Sequence, residues 1–175
     1  FGYKLKKNLV LTGMMGVGKT TIGKIVAKKL KLKFVDIDSL VEKKEKNTIK
    51  EIFRNKGEDY FRKIEAKITL LELKKINLVI ALGGGAFINK SIRKEVSNSS
   101  VSFWLDLELK SLINRLKKTK KRPLLDKKNL ESTINKIYLE RKKIYNESNF
   151  KIKCNFLKKD EVAEKIVALY ENSAN

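Results

Sequence analysis

The chain carries Gly13-Met-Met-Gly-Val-Gly-Lys-Thr20, a segment that matches the pattern G-x-x-x-x-G-K-[ST] without a mismatch. It directly follows the apolar run Asn8–Thr12 and directly precedes a helical pattern. Glycines let such a loop wrap its backbone N–H groups around phosphate oxygens, and the N-terminus of the next helix adds positive potential. The alternative is a glycine-rich turn that starts a helix by chance, which would make both flanking elements coincidental. The segment therefore predicts a phosphate-binding loop for a nucleoside triphosphate.

Two residues of this loop have distinct predicted roles. Lys19 would reach the β and γ phosphates of the nucleotide, and the hydroxyl of Thr20 would coordinate Mg²⁺. The loop and the residue after it form the predicted nucleotide-binding set, which is Gly13, Met14, Met15, Gly16, Val17, Gly18, Lys19, Thr20 and Thr21.

Short β-rich runs alternate with amphipathic helical patterns along the chain, which predicts an α/β fold with a parallel sheet. The predicted strands are Asn8–Thr12, Lys33–Ile37, Leu78–Leu82, Val101–Leu105 and Phe150–Cys154.

Two capping-box patterns predict helix starts after the second strand. They are Ser39 with Glu42 and Thr48 with Glu51. Two helices should follow, separated near Gly57.

Composition restricts the chemistry. Forty-one Lys and Arg residues against 20 Asp and Glu give a formal net charge of +21, which favours anionic partners. The chain has no histidine and a single cysteine, Cys154, so it excludes His-based triads, internal disulfides and thiolate clusters. Catalysis must therefore use carboxylates, lysine, arginine, hydroxyls or backbone amides. A basic nucleic-acid-binding module is the rival from another class, but no such motif accompanies the charge, so no specific nucleic-acid partner is predicted.

The apolar runs are much shorter than the ~20 residues that a membrane-spanning helix needs. We therefore expect a protein without a membrane span. Separately, we expect it to be cytoplasmic and monomeric.

Acidic residues near the second strand are candidates for the reaction centre. The third strand ends at Gly83-Gly-Gly85, where many P-loop proteins place an acidic metal ligand, so the carboxylate must come from elsewhere. Asp36 and Asp38 lie at i and i+2 where a parallel strand opens into the ligand crevice. Asp36 is the candidate Mg²⁺ ligand and Asp38 the candidate for the acceptor hydroxyl. Alternatively, Asp38 only caps the following helix.

Two arginines have open interpretations. Arg62 could be a surface residue paired with Glu65 at i+3. Arg141 falls in an otherwise apolar helical register, so its guanidinium needs an anion or must extend to solvent. The apolar residues of that register are Leu130, Ile134, Ile137 and Ile144.

Seven segments, in order from about residue 8 to 150, resemble those of the shikimate kinase family. They are Gly13-Met-Met-Gly-Val-Gly-Lys-Thr-Thr-Ile-Gly23, Phe34-Val-Asp-Ile-Asp38, Ile49-Lys-Glu-Ile-Phe53, Gly57-Glu-Asp-Tyr-Phe-Arg62, Gly83-Gly-Gly85, Arg122-Pro-Leu-Leu125 and Glu140-Arg141. The chain departs from the family in having Arg141-Lys-Lys-Ile-Tyr145 where Arg-x-Pro-Leu-Tyr is usual, and Leu82 where Thr is common.

The resemblance implies a single domain over residues 1–175, a three-layer sandwich around a five-stranded parallel sheet of the nucleoside monophosphate kinase type. A substrate-binding region would lie at about residues 35–62 and a lid at about residues 113–125. The implied reaction is transfer of the ATP γ-phosphoryl to the 3-hydroxyl of shikimate, with Mg²⁺ as cofactor. The alternative is another small-molecule P-loop kinase, such as a gluconate or nucleoside monophosphate kinase.

The resemblance also implies residue roles. Lys19, Asp38 and Arg122 would be catalytic, with Asp38 as the base and Arg122 folding over the phosphates. Arg115 would stack on adenine. The implied shikimate-binding residues are Asp38, Phe53, Phe61, Arg62, Gly83, Gly84, Gly85 and Arg141.

Overall fold

Five parallel strands form one sheet in the computed structural model, which describes residues 6–119 and 127–173. The strands are β1 (Asn8–Thr12), β2 (Lys33–Asp36), β3 (Leu78–Ala81), β4 (Ser100–Asp106) and β5 (Phe150–Lys153). Their order across the sheet is β2-β3-β1-β4-β5, and every neighbouring pair is parallel. The predicted α/β class is confirmed.

Helices cover the sheet in two groups. One pairs α1 with α7, and the other pairs α3 with α4. The helices of the described residues are α1 (Lys19–Leu30), α2 (Ile37–Glu45), α3 (Ile49–Leu73), α4 (Lys90–Ser99), α5 (Leu109–Lys117), α6 (Leu130–Tyr145) and α7 (Lys159–Ser173). Short 3₁₀ turns occur at Ala86–Ile88 and Lys127–Asn129. Within the described residues, no helix is long and apolar enough to cross a membrane.

The central strand β1 lies in the core directly before the glycine-rich loop. Leu9, Val10 and Leu11 are fully buried, as expected for a parallel strand covered on both faces. Helix α1 packs Ile22 and Val26 into the same core. The glycine-rich segment between β1 and α1 is thus anchored at both ends.

The second strand ends earlier than the sequence predicts. Strand β2 stops at Asp36, and α2 begins at Ile37, so Asp38 lies in the first helical turn and not on a strand. Asp36 is the N-cap, because its carboxylate accepts a hydrogen bond from the backbone N of Ser39 at 3.2 Å. The predicted capping box of Ser39 with Glu42 is therefore wrong, and so is the alternative that Asp38 caps the helix.

The second capping box is confirmed. Thr48 Oγ1 accepts from the Glu51 backbone N at 3.2 Å, and the Glu51 carboxylate accepts from the Thr48 backbone N at 3.1 Å. Gly57 interrupts α3 as predicted, with φ of +84° and ψ of 171°. This positive φ is a conformation that glycine adopts without steric cost.

Part of the predicted lid lies outside the described residues, including Arg122. Residues 113–117 of that region belong to α5.

Candidate active site

The glycine-rich loop has the backbone conformation that its sequence predicts. Gly18 is the N-cap of α1 and has φ of +104°, in the left-handed region that disfavours other residues. Gly13 lies so close to β4 that an added Cβ would be 2.6 Å from the carbonyl oxygen of Leu105. Close backbone approach and positive φ explain why glycine occupies these positions.

Two basic side chains lie against this loop. Lys19 Nζ donates to the carbonyl oxygens of Gly13 at 2.6 Å and Met14 at 3.0 Å, so its ammonium group lies over the loop. Arg115, from helix α5, donates from Nη1 to the carbonyl of Val17 at 3.2 Å. The fold thereby brings Arg115 to the nucleotide loop across 98 residues of sequence.

Two side-chain oxygen atoms that could bind a metal ion lie where the glycine-rich loop meets β2. Thr20 Oγ1 donates a hydrogen bond to Asp36 Oδ2 at 2.6 Å. Hydroxyl and carboxylate oxygens are hard ligands of the kind that Mg²⁺ prefers. No group of three or more His, Cys, Asp or Glu side chains that could hold a metal occurs within residues 6–119 and 127–173. The two oxygens therefore fit a Mg²⁺ ion that takes its other ligands from phosphates and water.

Two carboxylates face the backbone of Gly83. A Cβ on Gly83 would lie 2.7 Å from Asp38 Oδ1 and 2.7 Å from Glu65 Oε2. No side chain larger than hydrogen fits there without moving one of them. Asp38 of α2 and Glu65 of α3 are thus brought together at the carboxyl end of β3.

Glu65 is almost completely buried, with 2% of its surface exposed. Burial raises the pKa of its carboxyl above the usual range and the charge of Asp38 raises it further, while the Arg62 guanidinium opposes both effects. Its Oε2 atom has no hydrogen-bond partner among the described residues. An acid held in this way is unusually costly to ionise.

Arg62 forms the predicted ion pair and also reaches the glycine turn. Its Nη1 lies 2.8 Å from Glu65 Oε1, and its Nη2 lies 3.4 Å from Glu58 Oε1. A Cβ on Gly85 would lie 2.6 Å from Arg62 Nη2, so the guanidinium covers that residue. Arg62 therefore pairs with Glu65 and also lies against the glycine turn.

Arg141 projects inward from α6, as its register predicts. Only 9% of its surface is exposed, and Nη1 is buried without a hydrogen-bond partner among the described residues. The same atom lies 3.5 Å from the position that a Cβ on Gly84 would take. A buried guanidinium nitrogen without a partner, beside a glycine turn, is a site for an anion.

The two predicted phenylalanines are neighbours. The rings of Phe53 and Phe61 have centroids 4.8 Å apart, and Phe61 is buried while Phe53 is half-buried. The Arg62 guanidinium carbon lies 5.2 Å from the centroid of Phe61. The two rings form an apolar surface of the candidate site, next to the guanidinium of Arg62.

Sequence reasoning missed two residues at this site. Glu65 was considered only as a surface partner of Arg62, and Tyr145 only as part of a motif. The spacing places Glu65 three residues after Arg62 and Tyr145 four residues after Arg141, but it does not indicate which atoms the two side chains reach. Each pair lies on one helix face.

Comparisons with known proteins identify relatives of this chain. Residues 15–171 match the family model described as shikimate kinase. The chain is 41% identical over 169 residues to shikimate kinase of Thermodesulfovibrio yellowstonii, covering 97% of this chain and 98% of that protein. It is also 41% identical over 159 residues to shikimate kinase of Bartonella henselae, and the match covers 91% of this chain and 76% of that protein.

A solved structure of Acinetobacter baumannii shikimate kinase in complex with shikimate superposes with a TM-score of 0.93. The sequence identity is 30%, and the match covers 98% of this chain and 96% of that one.

Proposed function

The chain belongs to the shikimate kinase family, and from this premise we propose how its residues divide the reaction among them. The enzyme transfers the γ-phosphoryl group of ATP to the 3-hydroxyl of shikimate, a step of aromatic amino-acid biosynthesis. The observation that carries the proposed division of roles is the glycine turn at residues 83–85. Two carboxylates and two arginines from three helices converge on this turn.

The loop from Gly13 to Thr21 binds the phosphates of ATP, with its backbone N–H groups and the start of α1 supplying positive potential. The ammonium group of Lys19 lies over the loop, where it would stabilise the negative charge of the transferred phosphoryl group. Arg115, held at the loop by its contact with Val17, stacks on the adenine. Arg122 would cover the phosphates from the lid, although it lies outside the described residues.

Thr20 and Asp36 would hold Mg²⁺, because they present two hard oxygens side by side. When bound, the ion would neutralise charge on the β and γ phosphates. Asp36 also caps α2 through its other oxygen, so the helix that carries Asp38 starts from the same side chain.

The carboxylate of Asp38 accepts a hydrogen bond from the acceptor hydroxyl of shikimate. Transfer of a phosphoryl group passes through a loose transition state, so the hydroxyl needs little deprotonation early in the reaction. Asp38 therefore orients the hydroxyl and takes its proton late. The neighbouring Glu65 stays beneath Gly83, where burial disfavours its ionisation.

The two arginines hold the carboxylate of shikimate. Arg141 has a buried nitrogen without a partner, and binding of a carboxylate would satisfy it with a charge-assisted hydrogen bond. Arg62 is half-exposed between its two glutamates and completes the clamp from α3. This carboxylate clamp separates the enzyme from kinases of neutral sugars, and the rings of Phe53 and Phe61 would lie beside the cyclohexene ring.

An ADP-release assay with a panel of acceptors tests the proposed function. Shikimate should support turnover with a kcat/KM at least about 100-fold above that of quinate, gluconate or a nucleoside monophosphate. A higher value with gluconate or a nucleoside monophosphate would replace shikimate by that acceptor.

Four expectations from the sequence stay predictions. They are a single domain over residues 1–175, a monomeric state, a cytoplasmic location and the absence of specific nucleic-acid binding.

A further inference from the structure

Tyr145 connects the two halves of the site through one hydroxyl group. It is the last residue of α6 and is fully buried. Its hydroxyl donates to the carbonyl oxygen of Gly84 at 2.5 Å and lies 3.9 Å from the sulfur of Met14. Gly84 belongs to the acceptor-side turn, and Met14 belongs to the nucleotide loop.

The two loops touch at the same place. A Cβ on Gly84 would lie 3.3 Å from the backbone N of Met15, so the glycine turn rests against the nucleotide loop. The ring of Tyr145 packs against Trp104 of β4 with centroids 5.9 Å apart. The ring thus has its own anchor in the core, and the hydroxyl contributes a separate polar contact.

The hydroxyl remains a donor at neutral pH. Burial raises the pKa of Tyr145 above the usual value of 10.0, although the Arg141 charge opposes this effect. A neutral phenol can therefore hold the Gly84 carbonyl throughout the working range of the enzyme.

We propose that Tyr145 is a positioning residue for phosphoryl transfer, because its hydroxyl fixes the acceptor-side turn against the nucleotide loop. This inference rests on the proposed function. Catalysis of this reaction depends mainly on positioning, and a displacement of about 1 Å can cost about 100-fold in rate. Tyr145 acts through Gly84 and Met14 on the distance between the γ-phosphoryl group and the acceptor hydroxyl, and its hydroxyl also interacts with the side chain of Arg141.

The test compares Tyr145→Phe with a matched control, Tyr170→Phe. Tyr170 is also fully buried, and its hydroxyl donates to the carbonyl oxygen of Lys7 at 2.5 Å. Lys7 precedes β1, whereas the nucleotide loop follows β1, so the control removes an equivalent hydrogen bond at the opposite end of that strand. Both variants should lose similar thermal stability.

The readout that separates them is the single-turnover rate, measured by rapid quench with both substrates saturating. Tyr145→Phe should transfer the phosphoryl group about 10-fold more slowly, with each KM within about threefold of the wild-type value. Tyr170→Phe should transfer at the wild-type rate. Equal rates in the two variants would overturn the inference. A raised KM for shikimate with an unchanged single-turnover rate would also overturn it, since the hydroxyl would then serve only binding.

Gly84→Ala provides a second test that keeps the tyrosine and remains available if Tyr145→Phe does not fold. Because Gly84 also belongs to the predicted shikimate-binding set, a lower rate supports the inference only if the KM for shikimate stays within about threefold of the wild-type value, and a raised KM that accounts for the loss would contradict it. The new methyl group would press on the nucleotide loop and move the turn away from it. Its single-turnover rate should fall by at least about 10-fold, and a wild-type rate would contradict the inference. The proposed function fails separately, if the unaltered enzyme does not phosphorylate shikimate.

Discussion

Replacing Arg141 by methionine should change stability and catalysis in opposite directions. The guanidinium is 9% exposed, and Nη1 has no hydrogen-bond partner among the described residues. An unsatisfied buried donor costs about 1 to 3 kcal/mol, and apolar replacement of Arg141 removes that cost. Arg141→Met should therefore raise the free energy of unfolding of the ligand-free enzyme by at most about 1 to 3 kcal/mol, reduced by the lost attraction between Arg141 and the Glu65 carboxylate.

The catalytic effect follows from the same atom. A hydrogen bond between Arg141 and the shikimate carboxylate is worth about 1.5 to 3 kcal/mol when both groups are desolvated. Its loss should lower kcat/KM for shikimate by about 10-fold to 150-fold in the ADP-release assay. The uncharged amide of shikimate should lose much less in the variant, because it lacks the charge that Arg141 recognises.

Arg93 offers a matched comparison, because it is a half-buried arginine whose Nη1 and Nε atoms contact oxygen acceptors. It donates to the carbonyl oxygens of Phe87 and Ile88 and pairs with Glu147 at 2.9 Å. Arg93→Met should destabilise the fold in the urea-unfolding experiment in which Arg141→Met stabilises it. The reasoning is refuted if Arg141→Met keeps kcat/KM for shikimate within about threefold of the wild-type value, or if it destabilises the enzyme as much as Arg93→Met does.

Three further predictions address other groups. Asp38→Asn should lower kcat by about 100-fold or more while the Kd for ADP in calorimetry stays within about twofold, and near-normal turnover would remove Asp38 from the acceptor site. Burial raises the pKa of Glu65 above 4.5, so its ionisation destabilises the fold progressively as pH rises through the folded-state pKa. Glu65→Gln should therefore gain stability relative to the unaltered enzyme in urea unfolding as pH rises above about 4.5, and a constant or falling difference would contradict this origin. Burial raises the pKa of Cys154 to about 11, so a thiol reagent at neutral pH should modify it slowly in the native enzyme and rapidly in urea, whereas equal rates would contradict its burial.

The sheet could be predicted from sequence because its signals are local and strong. Apolar runs such as Asn8–Thr12 and Leu78–Leu82 stand between amphipathic helices, and burial on both faces of a parallel sheet demands such runs. The nucleotide loop could be predicted because Gly13 and Gly18 have positive φ angles, which other residues rarely adopt.

The boundary at Asp36 could not be predicted from the strand pattern alone. The capping-box pattern of Ser39 with Glu42 indicates a helix start three residues after the N-cap that the structure shows at Asp36. The Asp36 carboxylate accepts from the hydroxyl of Thr20 through one oxygen and from the backbone N of Ser39 through the other. The contact with Thr20 is tertiary, so the sequence near β2 does not contain it.

The convergence at the glycine turn is also tertiary. Glu65 has an ordinary helical spacing from Arg62, and nothing in that spacing indicates that its second oxygen lies against Gly83. Tyr145 has the spacing of a core residue and is one, but its hydroxyl reaches Gly84, which lies 61 residues earlier in the chain. Such roles become visible only once α3 and α6 are placed on the sheet.

The central claim is that one crevice joins the γ-phosphoryl group of ATP to the 3-hydroxyl of shikimate. Phosphorus and proton NMR of a reaction with limiting shikimate tests it most directly. The account predicts one ADP for each shikimate consumed, with all of the transferred phosphorus in an ester at the 3-position. Inorganic phosphate as the main product, or an ester at a different hydroxyl, would contradict it.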